Sequence, residues 1–316
     1  MPQPTSGDVH VNAPLTNVSV AFIQQTTLYG AHRIFPIVPV AKQSDVYFQY
    51  NKEDFLRDEA KPRAPGTESA GGGFNLTTPA YSCRLEALHK DVDDPTRANA
   101  DAPLNMDRDA TQYVTQKMLT RREKRWIDSY FKSGVWGTDL TPTTLWSAAT
   151  GSTPQEDVET AKLAIQGVTG FAPNVLVLGP NVFSKLRTND RVRDAFKYTS
   201  ADSISVAMLA GFFGVERIVQ LGAVSTTTVE GAATQTTAFL AGKHALLCYA
   251  PPAAGLLQPS AGYVFSWTGL IGAGEGIRIK RFRMEHLASD RIEAEMAYDM
   301  KVVSSALGYF FASVVA

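Results

Sequence analysis

The 316-residue sequence lacks a surplus of either charge, because 30 Lys and Arg residues stand against 31 Asp and Glu residues, for a net charge of −1. Nucleic-acid binding usually relies on an excess of Lys and Arg that displaces counterions from phosphates. The balance argues against a protein that reads DNA sequence, and we expect any contact with DNA to be weak or indirect. At roughly 100–200 residues per domain, the chain predicts two compact units or one large one.

Cysteine and long apolar runs are also scarce. The two cysteines, Cys83 and Cys248, are far apart in the chain, which argues against a disulfide framework or a cysteine-based zinc site and favours a reduced, cytoplasmic origin. Uncharged stretches such as 34–41 and 245–257 are short and interrupted by proline, so they predict no membrane span. Residues 1–15 have neither the basic start nor the apolar run of a signal peptide.

Motifs of common enzyme classes are missing as well. The sequence has no Walker loop, no His-Glu-x-x-His and no Gly-x-Ser-x-Gly, and its five histidines never pair at metal-ligand spacing. Gly272–Gly276 resembles part of a dinucleotide loop, yet Ile277 stands where the third glycine is needed and a strand is expected to follow. Catalytic residues need not be adjacent in sequence, so an enzyme stays open as an alternative, but no motif favours one. Our expectation is no enzyme, no catalytic residue, no cofactor and no metal.

The first 42 residues carry few charges and several prolines, which predicts an extended arm. Within it, Ile34–Val40 is apolar but contains two prolines, and each proline removes a ladder donor. We expect this run to avoid the centre of a sheet and to lie on a surface, either of this chain or of another subunit.

A long loop of two extended limbs is predicted next. Val46–Tyr50 and Phe74–Leu85 have strand character. Between them lie the densely charged segment Asn51–Ala64 and a triple glycine at 71–73. A compact domain rarely contains so long a loop unless the loop has a function.

Asn105–Lys132 has the strongest helical period in the chain. Val114, Met118 and Trp126 recur at helical spacing, and at 1.5 Å per residue the helix would span about 40 Å. Its basic centre, Arg121–Arg125, is interpreted as a solvated helix face rather than a phosphate-binding patch, because one isolated cluster in a neutral protein is common.

Beyond a connection rich in Gly, Thr, Ser and Pro at 133–154, helices and strands alternate. The expected helices are Pro154–Val168, Asn181–Leu186 and Ile204–Phe213, and the expected strands are Asn174–Leu178, Arg217–Leu221 and Thr237–Ala241. Such alternation indicates a mixed sheet covered by helices.

The last third predicts a long β hairpin from Gly276–Met284 and Arg291–Lys301, with a turn at His286–Asp290. A turn centred on Ala288 would pair Arg283 with Glu293, Arg281 with Glu295, Glu285 with Arg291 and Met284 with Ile292. Opposite charges facing each other across a ladder contribute about 0.2–1 kcal/mol each, and the other parity would place charges on the apolar face. Pairing of Arg281 with an even-numbered residue would contradict this register.

The order of these elements resembles the major capsid proteins of tailed bacteriophages, with their Hong Kong 97-type fold. Gly170–Leu186, with the sequence GFAPNVLVLGPNVFSKL, looks like the strand and helix that open the family's axial domain. Tyr298–Ser304, with Gly308 and Tyr309, looks like the family's last strands. The match covers nearly the whole chain. It rests on the order of the elements and the character of their sequences more than on one diagnostic motif.

The resemblance implies an α+β phage major capsid fold. Its expected parts are an N-terminal arm at 1–42, an extended E-loop hairpin at 43–95, a peripheral domain with a long spine helix at 96–146, an axial α/β domain at 147–262, a long peripheral β hairpin at 263–302, and a C-terminal strand at 303–316 that returns to the axial domain.

The implied function is a structural coat subunit that self-assembles as pentamers and hexamers into an icosahedral shell around double-stranded DNA. It would assemble in the host cytoplasm and reside in the virion, without a membrane partner. Scaffold, portal and decoration proteins are the other implied partners. Some members carry a long scaffolding segment that is later removed. Here the arm begins almost at once, which implies a separate scaffold, or a trimmed or scaffold-free design.

Certain members cross-link a loop lysine to a neighbour's asparagine beside a catalytic glutamate. Lys52 and Lys61 lie in the corresponding loop, but no motif matches the other two residues, so we expect non-covalent stabilisation. The candidate inter-subunit contacts are Arg57, Asp58, Glu59, Lys61 and Arg63. Ion pairs in a network count for more than isolated surface pairs worth about 0–1 kcal/mol. Alternatively, these charges only keep an exposed loop soluble.

Two other functions stay open. An encapsulin-like nanocompartment shell would share the fold, and purified particles that hold an enzyme cargo would favour it. A monomeric α/β enzyme would instead give a discrete monomer in solution. The capsid interpretation predicts large assemblies, and an arm and a loop with almost no contacts inside their own chain.

Overall fold

The computed structural model describes residues 23–100, 104–197, 204–271 and 277–316. The helices are α1 Lys52–Leu56, α2 Asp94–Ala98, α3 Met106–Tyr130, α4 Pro154–Thr169, α5 Pro180–Thr188, α6 Asp190–Phe196, α7 Val206–Phe213 and α8 Thr268–Ile271. Helices and sheets are mixed, which confirms the coarse fold class. The first part of the predicted arm, residues 1–22, and the glycine-rich segment 272–276 lie outside the described residues.

The strands of the first half are β1 Ile37–Val40, β2 Ser44–Val46, β3 Gln49–Tyr50, β4 Leu76–Thr77, β5 Ala80–Ser82, β6 Arg84–Asp93, β7 Thr138–Leu140 and β8 Val175–Leu178. Those of the second half are β9 Arg217–Gln220, β10 Val224–Thr226, β11 Thr237–Phe239, β12 Ala245–Cys248, β13 Gly262–Trp267, β14 Arg278–Met284, β15 Ser289–Val302 and β16 Gly308–Phe311.

Strand β15 is the centre of one five-stranded sheet. Its first half pairs antiparallel with β14 on one edge and with β6 on the other, and its second half pairs with β13. Helix α3 packs against β15 and β6. Because of these neighbours, most of the 14 residues of β15 are buried, on both faces of the strand.

The predicted hairpin exists as β14 and β15, but its predicted register is wrong. Arg281 pairs with Ile292, Lys280 with Glu293 and Phe282 with Arg291. The expected partners of Arg281, Arg283, Glu285 and Met284 therefore do not face them. The turn is a 3₁₀ turn at Glu285–Leu287 closed by Ala288 in the left-handed region, with φ of 42°. It follows the pair Met284–Ser289 directly, which shifts the ladder by three residues.

The parity argument failed because of how β15 is buried. The argument from parity assumed that one face of β15 is apolar and the other is solvated. The structure shields both faces, so charged side chains are paired on each. Lys280 Nζ is 3.9 Å from Glu293 on one face, and the Arg281 guanidinium is 2.7 Å from Asp290 on the other. Opposite charges on β14 and β15 are paired, as expected, but the partners differ from those predicted.

Helix α3 lies close to its predicted bounds. The Asn105 side chain caps it by accepting the backbone N–H of Arg108 at 3.0 Å. Its 25 residues span about 38 Å. Val114, Met118 and Trp126 are buried, as their spacing indicates.

A second five-stranded sheet has the order β7-β16-β12-β8-β9. Strand β12 is antiparallel to both β16 and β8, whereas β8 and β9 are parallel. All side chains of β8, β12 and β16 are buried. The last strand of the chain, β16, therefore belongs to this sheet. So does β7, which precedes residue 147, the predicted start of the axial domain.

Residues 23–42 belong to the body of the molecule. Ile34 and Phe35 are buried, and the Phe35 ring packs edge-on against Trp126 with centroids 5.7 Å apart. Strand β1 lies parallel to β13 at the edge of the first sheet, as its prolines require. The prediction that the arm makes almost no contacts in its own chain is therefore wrong for these residues, because their apolar side chains fill this chain's own core.

Candidate assembly surface

The base of the long loop is attached to the first sheet. Tyr81 stacks on Phe265 with ring centroids 4.6 Å apart. The Ser82 backbone N–H donates to the Asp299 carboxylate at 2.9 Å, and Gln49 Nε2 donates to the Val303 carbonyl at 2.8 Å. The prediction of almost no contacts in its own chain is thus wrong for the base, which packs against residues far away in sequence.

The distal part of the loop, residues 48–76, forms a small ordered unit that we call the loop head. Asn51 caps α1 by accepting the Glu53 backbone N–H at 3.3 Å. The Asp54 carboxylate accepts the backbone N–H of Asn75 at 2.7 Å and its side-chain amide at 3.2 Å. The Asp54 side chain, only 4% exposed, therefore fastens the two limbs of the loop together.

Three aromatic rings cluster on the loop head. Tyr50, Phe55 and Phe74 have ring centroids 5.5–6.0 Å apart. Despite these contacts, Phe55 is 61% and Phe74 63% exposed. The neighbouring apolar side chains Phe48, Leu56 and Leu76 are exposed as well. A contiguous exposed apolar patch on a fastened unit marks an interaction site.

The predicted contact residues lie between Phe55 and Phe74 in the sequence, and the structure joins some of them within the chain. Arg57 lies 3.2 Å from Glu59 and 3.6 Å from Asp54. Arg63 Nε donates to the Thr67 carbonyl, while Asp58 and Lys61 are exposed. The role of all five in contacts between subunits stays a prediction.

A second exposed apolar site lies in the loop between β12 and β13. Leu256 is 98% exposed, and the adjacent Leu257 has a φ of 57°, an uncommon conformation for a bulky residue. The Tyr263 hydroxyl holds the loop by donating to the Gln258 carbonyl at 2.7 Å. Sequence reasoning missed both this site and the aromatic cluster. For the cluster, the available signal was the aromatics on both sides of the charged segment.

Titratable groups form no metal centre in the part of the chain that the structure describes: no three His, Cys, Asp or Glu side chains lie together so as to hold an ion. Over the same residues, none of the helices has the length and apolarity needed to span a bilayer.

Sequence comparison finds similarity to capsid proteins of phages. A model of phage major capsid protein E matches residues 137–252, which contain most of the second five-stranded sheet and its helices. Over 219 residues the chain is 26% identical to the major capsid protein of Burkholderia phage BcepMu, covering 66% of this chain and 67% of that protein. Both matches are to phage major capsid proteins. This confirms the resemblance drawn from the order of its elements.

Solved structures resemble this chain over nearly its whole length. A phage-related protein from Bordetella bronchiseptica RB50 has a TM-score of 0.67 at 23% identity and covers 92% of this chain and 93% of its own. The mature capsid of bacteriophage PhiM1 gives 0.58 at 12% identity, over 96% and 92%. The holo-SrpI encapsulin complex of Synechococcus elongatus PCC 7942 gives 0.59 at 12%, over 97% and 94%. At these identities the likeness establishes the fold.

Proposed function

We propose that this chain is a phage major capsid protein that self-assembles as pentamers and hexamers into an icosahedral shell around double-stranded DNA. In this proposal the loop head is one contact between neighbouring copies. The observation that carries the proposal is the exposed aromatic cluster of Phe55 and Phe74 on a unit fastened by Asp54. Burying the exposed part of two such rings would contribute on the order of 2–4 kcal/mol per contact.

Ring formation fits the placement of the exposed apolar surfaces. The loop head and the Leu256 loop are different surfaces of one chain, and in this proposal one of them contacts the other on a neighbouring copy. A contact between two unlike surfaces is heterologous, and such contacts close into rings when the rotation between copies permits. Pentamers and hexamers are closed rings of this kind.

The charged residues of the loop complete the proposal. Arg57, Asp58, Glu59, Lys61 and Arg63 would form a polar rim around the aromatic contact, with ion pairs to the neighbouring copy. In this scheme residues 1–42 act as the arm, 43–95 as the E-loop, 96–146 and 263–302 as the peripheral domain, and 147–262 with 303–316 as the axial domain. The virion is the proposed location, after assembly in the host cytoplasm with scaffold, portal and decoration proteins.

Assembly is tested with the full chain, alone and with a candidate scaffold, by sedimentation velocity and negative-stain microscopy. We expect wild-type particles of megadalton mass. A Phe55→Ser/Phe74→Ser double variant should stay folded, with an unchanged circular dichroism spectrum, but sediment as small species. The matched control is Phe239→Ser, which removes an exposed ring from β11. A discrete wild-type monomer under all these conditions, or full particle yield from the double variant, would contradict the proposal.

Charge reversal distinguishes a role of these residues in contacts between subunits from a role in keeping the loop soluble. Arg57→Glu or Arg63→Glu should reduce particle yield more than the yield of folded subunit, whereas Arg193→Glu, an exposed change on α6, should affect neither. Equal loss of soluble protein and of particles would show that these loop charges serve solubility.

An encapsulin-like shell is the second candidate, and the likeness to the encapsulin complex of Synechococcus elongatus favours it at the level of fold. The contents of purified particles distinguish the two functions. Nuclease-protected double-stranded DNA supports the capsid proposal, and a co-purifying enzyme without DNA supports the nanocompartment.

A further inference from the structure

One side of helix α3 carries an exposed row of cations beside an aromatic ring. Tyr113, Lys117, Arg121 and Lys124 follow one another at four-, four- and three-residue spacing and are exposed along α3. From the adjacent β6, Lys90 places its ammonium group 5.8 Å from the Tyr113 ring centroid, and Lys117 places its own at 5.6 Å. We call these five residues the spine ridge.

Most cations of the basic cluster Arg121–Arg125 are buried or paired with carboxylates of this chain. Arg122 is buried, so the expectation of a solvated face is wrong at that residue. Arg121 and Arg125 share the Glu86 carboxylate at 3.2 and 3.4 Å, and Asp299 lies 3.7 Å from Arg125. Asp299 is also 3.4 Å from Lys301, so among the described residues three cations share two carboxylates and one positive charge in this cluster has no counter-charge.

Lys117 and Lys124 extend that positive charge along the helix. Over the parts of the chain that the structure describes, no carboxylate lies within ion-pair distance of either ammonium group. The two lysines are seven residues apart, about 10 Å along the axis. Three phosphate steps of a DNA strand cover the same distance, at 3.4 Å per step. Asp128, one turn beyond Lys124, ends the row.

The arm itself is a poor occupant of this surface. Residues 1–22 contain a single carboxylate side chain, Asp8, and so lack the negative charge that would match the ridge. The loop head of a second copy is balanced in charge, with acids and bases interleaved in residues 51–64. A polyanion with regularly spaced charges is the complementary partner.

We propose that the spine ridge faces the enclosed genome and contacts the phosphate backbone of double-stranded DNA without reading its sequence. The inference rests on the proposed shell function and specifies which surface of the subunit meets the DNA. A few lysines bind duplex DNA weakly, but a shell presents the same ridge on every copy, and the linked contacts act together. A neutral protein can therefore hold DNA through a local ridge.

Binding is measured with the unassembled chain, in which the ridge is accessible, and a fluorescent 30-base-pair duplex, by anisotropy at salt concentrations from about 20 to 200 mM. A Lys117→Gln/Lys124→Gln variant should lower the slope of log K against log salt by about 1.8, since each phosphate contact contributes about 0.9. The matched control, Lys185→Gln/Lys243→Gln, removes two exposed lysines from elsewhere and should leave the slope unchanged. Duplexes of different sequence should bind alike.

The outcomes separate this inference from the proposed function. Absence of wild-type DNA binding at 20 mM salt, or an unchanged slope in the ridge variant, overturns the inference even if particles form normally. A ridge variant that binds DNA normally but fails to form particles also overturns it, because the ridge then contacts a second copy. A reduced slope with normal particle formation supports it, and failure of the wild type to form particles refutes only the shell.

Discussion

Glu123 provides a sharp test of how the arm is held. Its carboxylate, on α3, is 1% exposed and accepts the backbone N–H of Gly30 at 3.0 Å and of Ala31 at 2.9 Å. Burial, the largest cause, raises the pKa of Glu123, while the two N–H donors and the nearby Arg122 and Arg33 oppose that shift. The carboxylate therefore ties residues 30–31 to the centre of the spine helix.

The expected cost of losing Glu123 follows from these two bonds. Glu123→Ala leaves two buried N–H groups without an acceptor, at about 1–3 kcal/mol each, and removes the cost of burying a carboxylate. We expect a loss of about 3 kcal/mol in the free energy of unfolding. Glu123→Gln keeps one accepting oxygen but turns an NH₂ group towards the second N–H, so it should cost about 1–3 kcal/mol.

Urea unfolding of the unassembled chain, followed by tryptophan fluorescence, gives these values because Trp126 is buried beside Phe35. Hydrogen exchange at Gly30 and Ala31 supplies the local readout, since both amides should lose protection in Glu123→Ala. The control Glu159→Gln, on the exposed side of α4, should change stability by less than about 0.5 kcal/mol. Stability within that margin for Glu123→Ala, or amides that stay protected, would refute the reasoning.

Three further outcomes are expected. Burial, followed by the charges of Arg122 and Arg33, lowers the pKa of His32 to about 4; because the folded protein binds fewer protons there than the unfolded chain, stability should fall by about 1–2 kcal/mol as the pH drops from 7 towards 4. His32→Leu should flatten that slope in urea titrations, and an unchanged slope would contradict the assignment. Gly308→Ala should destabilise by about 1–3 kcal/mol, since a Cβ there would overlap the Trp136 ring; a thermal midpoint equal to wild type would refute the overlap. Burial raises the pKa of Cys83 to about 11 and that of Cys248 to about 12, so neither thiol should react with iodoacetamide before unfolding, as mass spectrometry would reveal.

The elements that sequence reasoning located well are those whose signal is local. Helix α3 was found within two residues of each end, because its apolar side chains follow the helical period and Asn105 is a strong cap. The strand at Val175–Leu178 was found for a similar reason, as a short apolar run closed by Gly179 and Pro180.

The remaining features depend on partners far away in sequence. The hairpin register was wrong because both faces of β15 are buried, one of the elements packed on it being the distant helix α3, and nothing near residue 290 indicates this burial. Burial of the arm depends on Glu123 and Trp126, and attachment of the loop base depends on Phe265 and Asp299. The aromatic cluster of the loop head, by contrast, is built from residues that are close together in sequence. Its rings, Tyr50, Phe55 and Phe74, lie in nearby segments, but they become a surface only once Asp54 joins the limbs.

The pairing of β6 with β15 has a mechanical consequence. The chain leaves the loop base at Arg84 and runs at once along β15, with hydrogen-bonded partners from Tyr298 to Ser289. If neighbouring copies pulled on the loop head, tension would enter β6 along its own axis and load the ladder in shear. Bonds loaded in shear share the force and must break together, whereas a peeled strand opens one bond at a time. The connection between the loop and the first sheet would thus resist force best along the axis of β6.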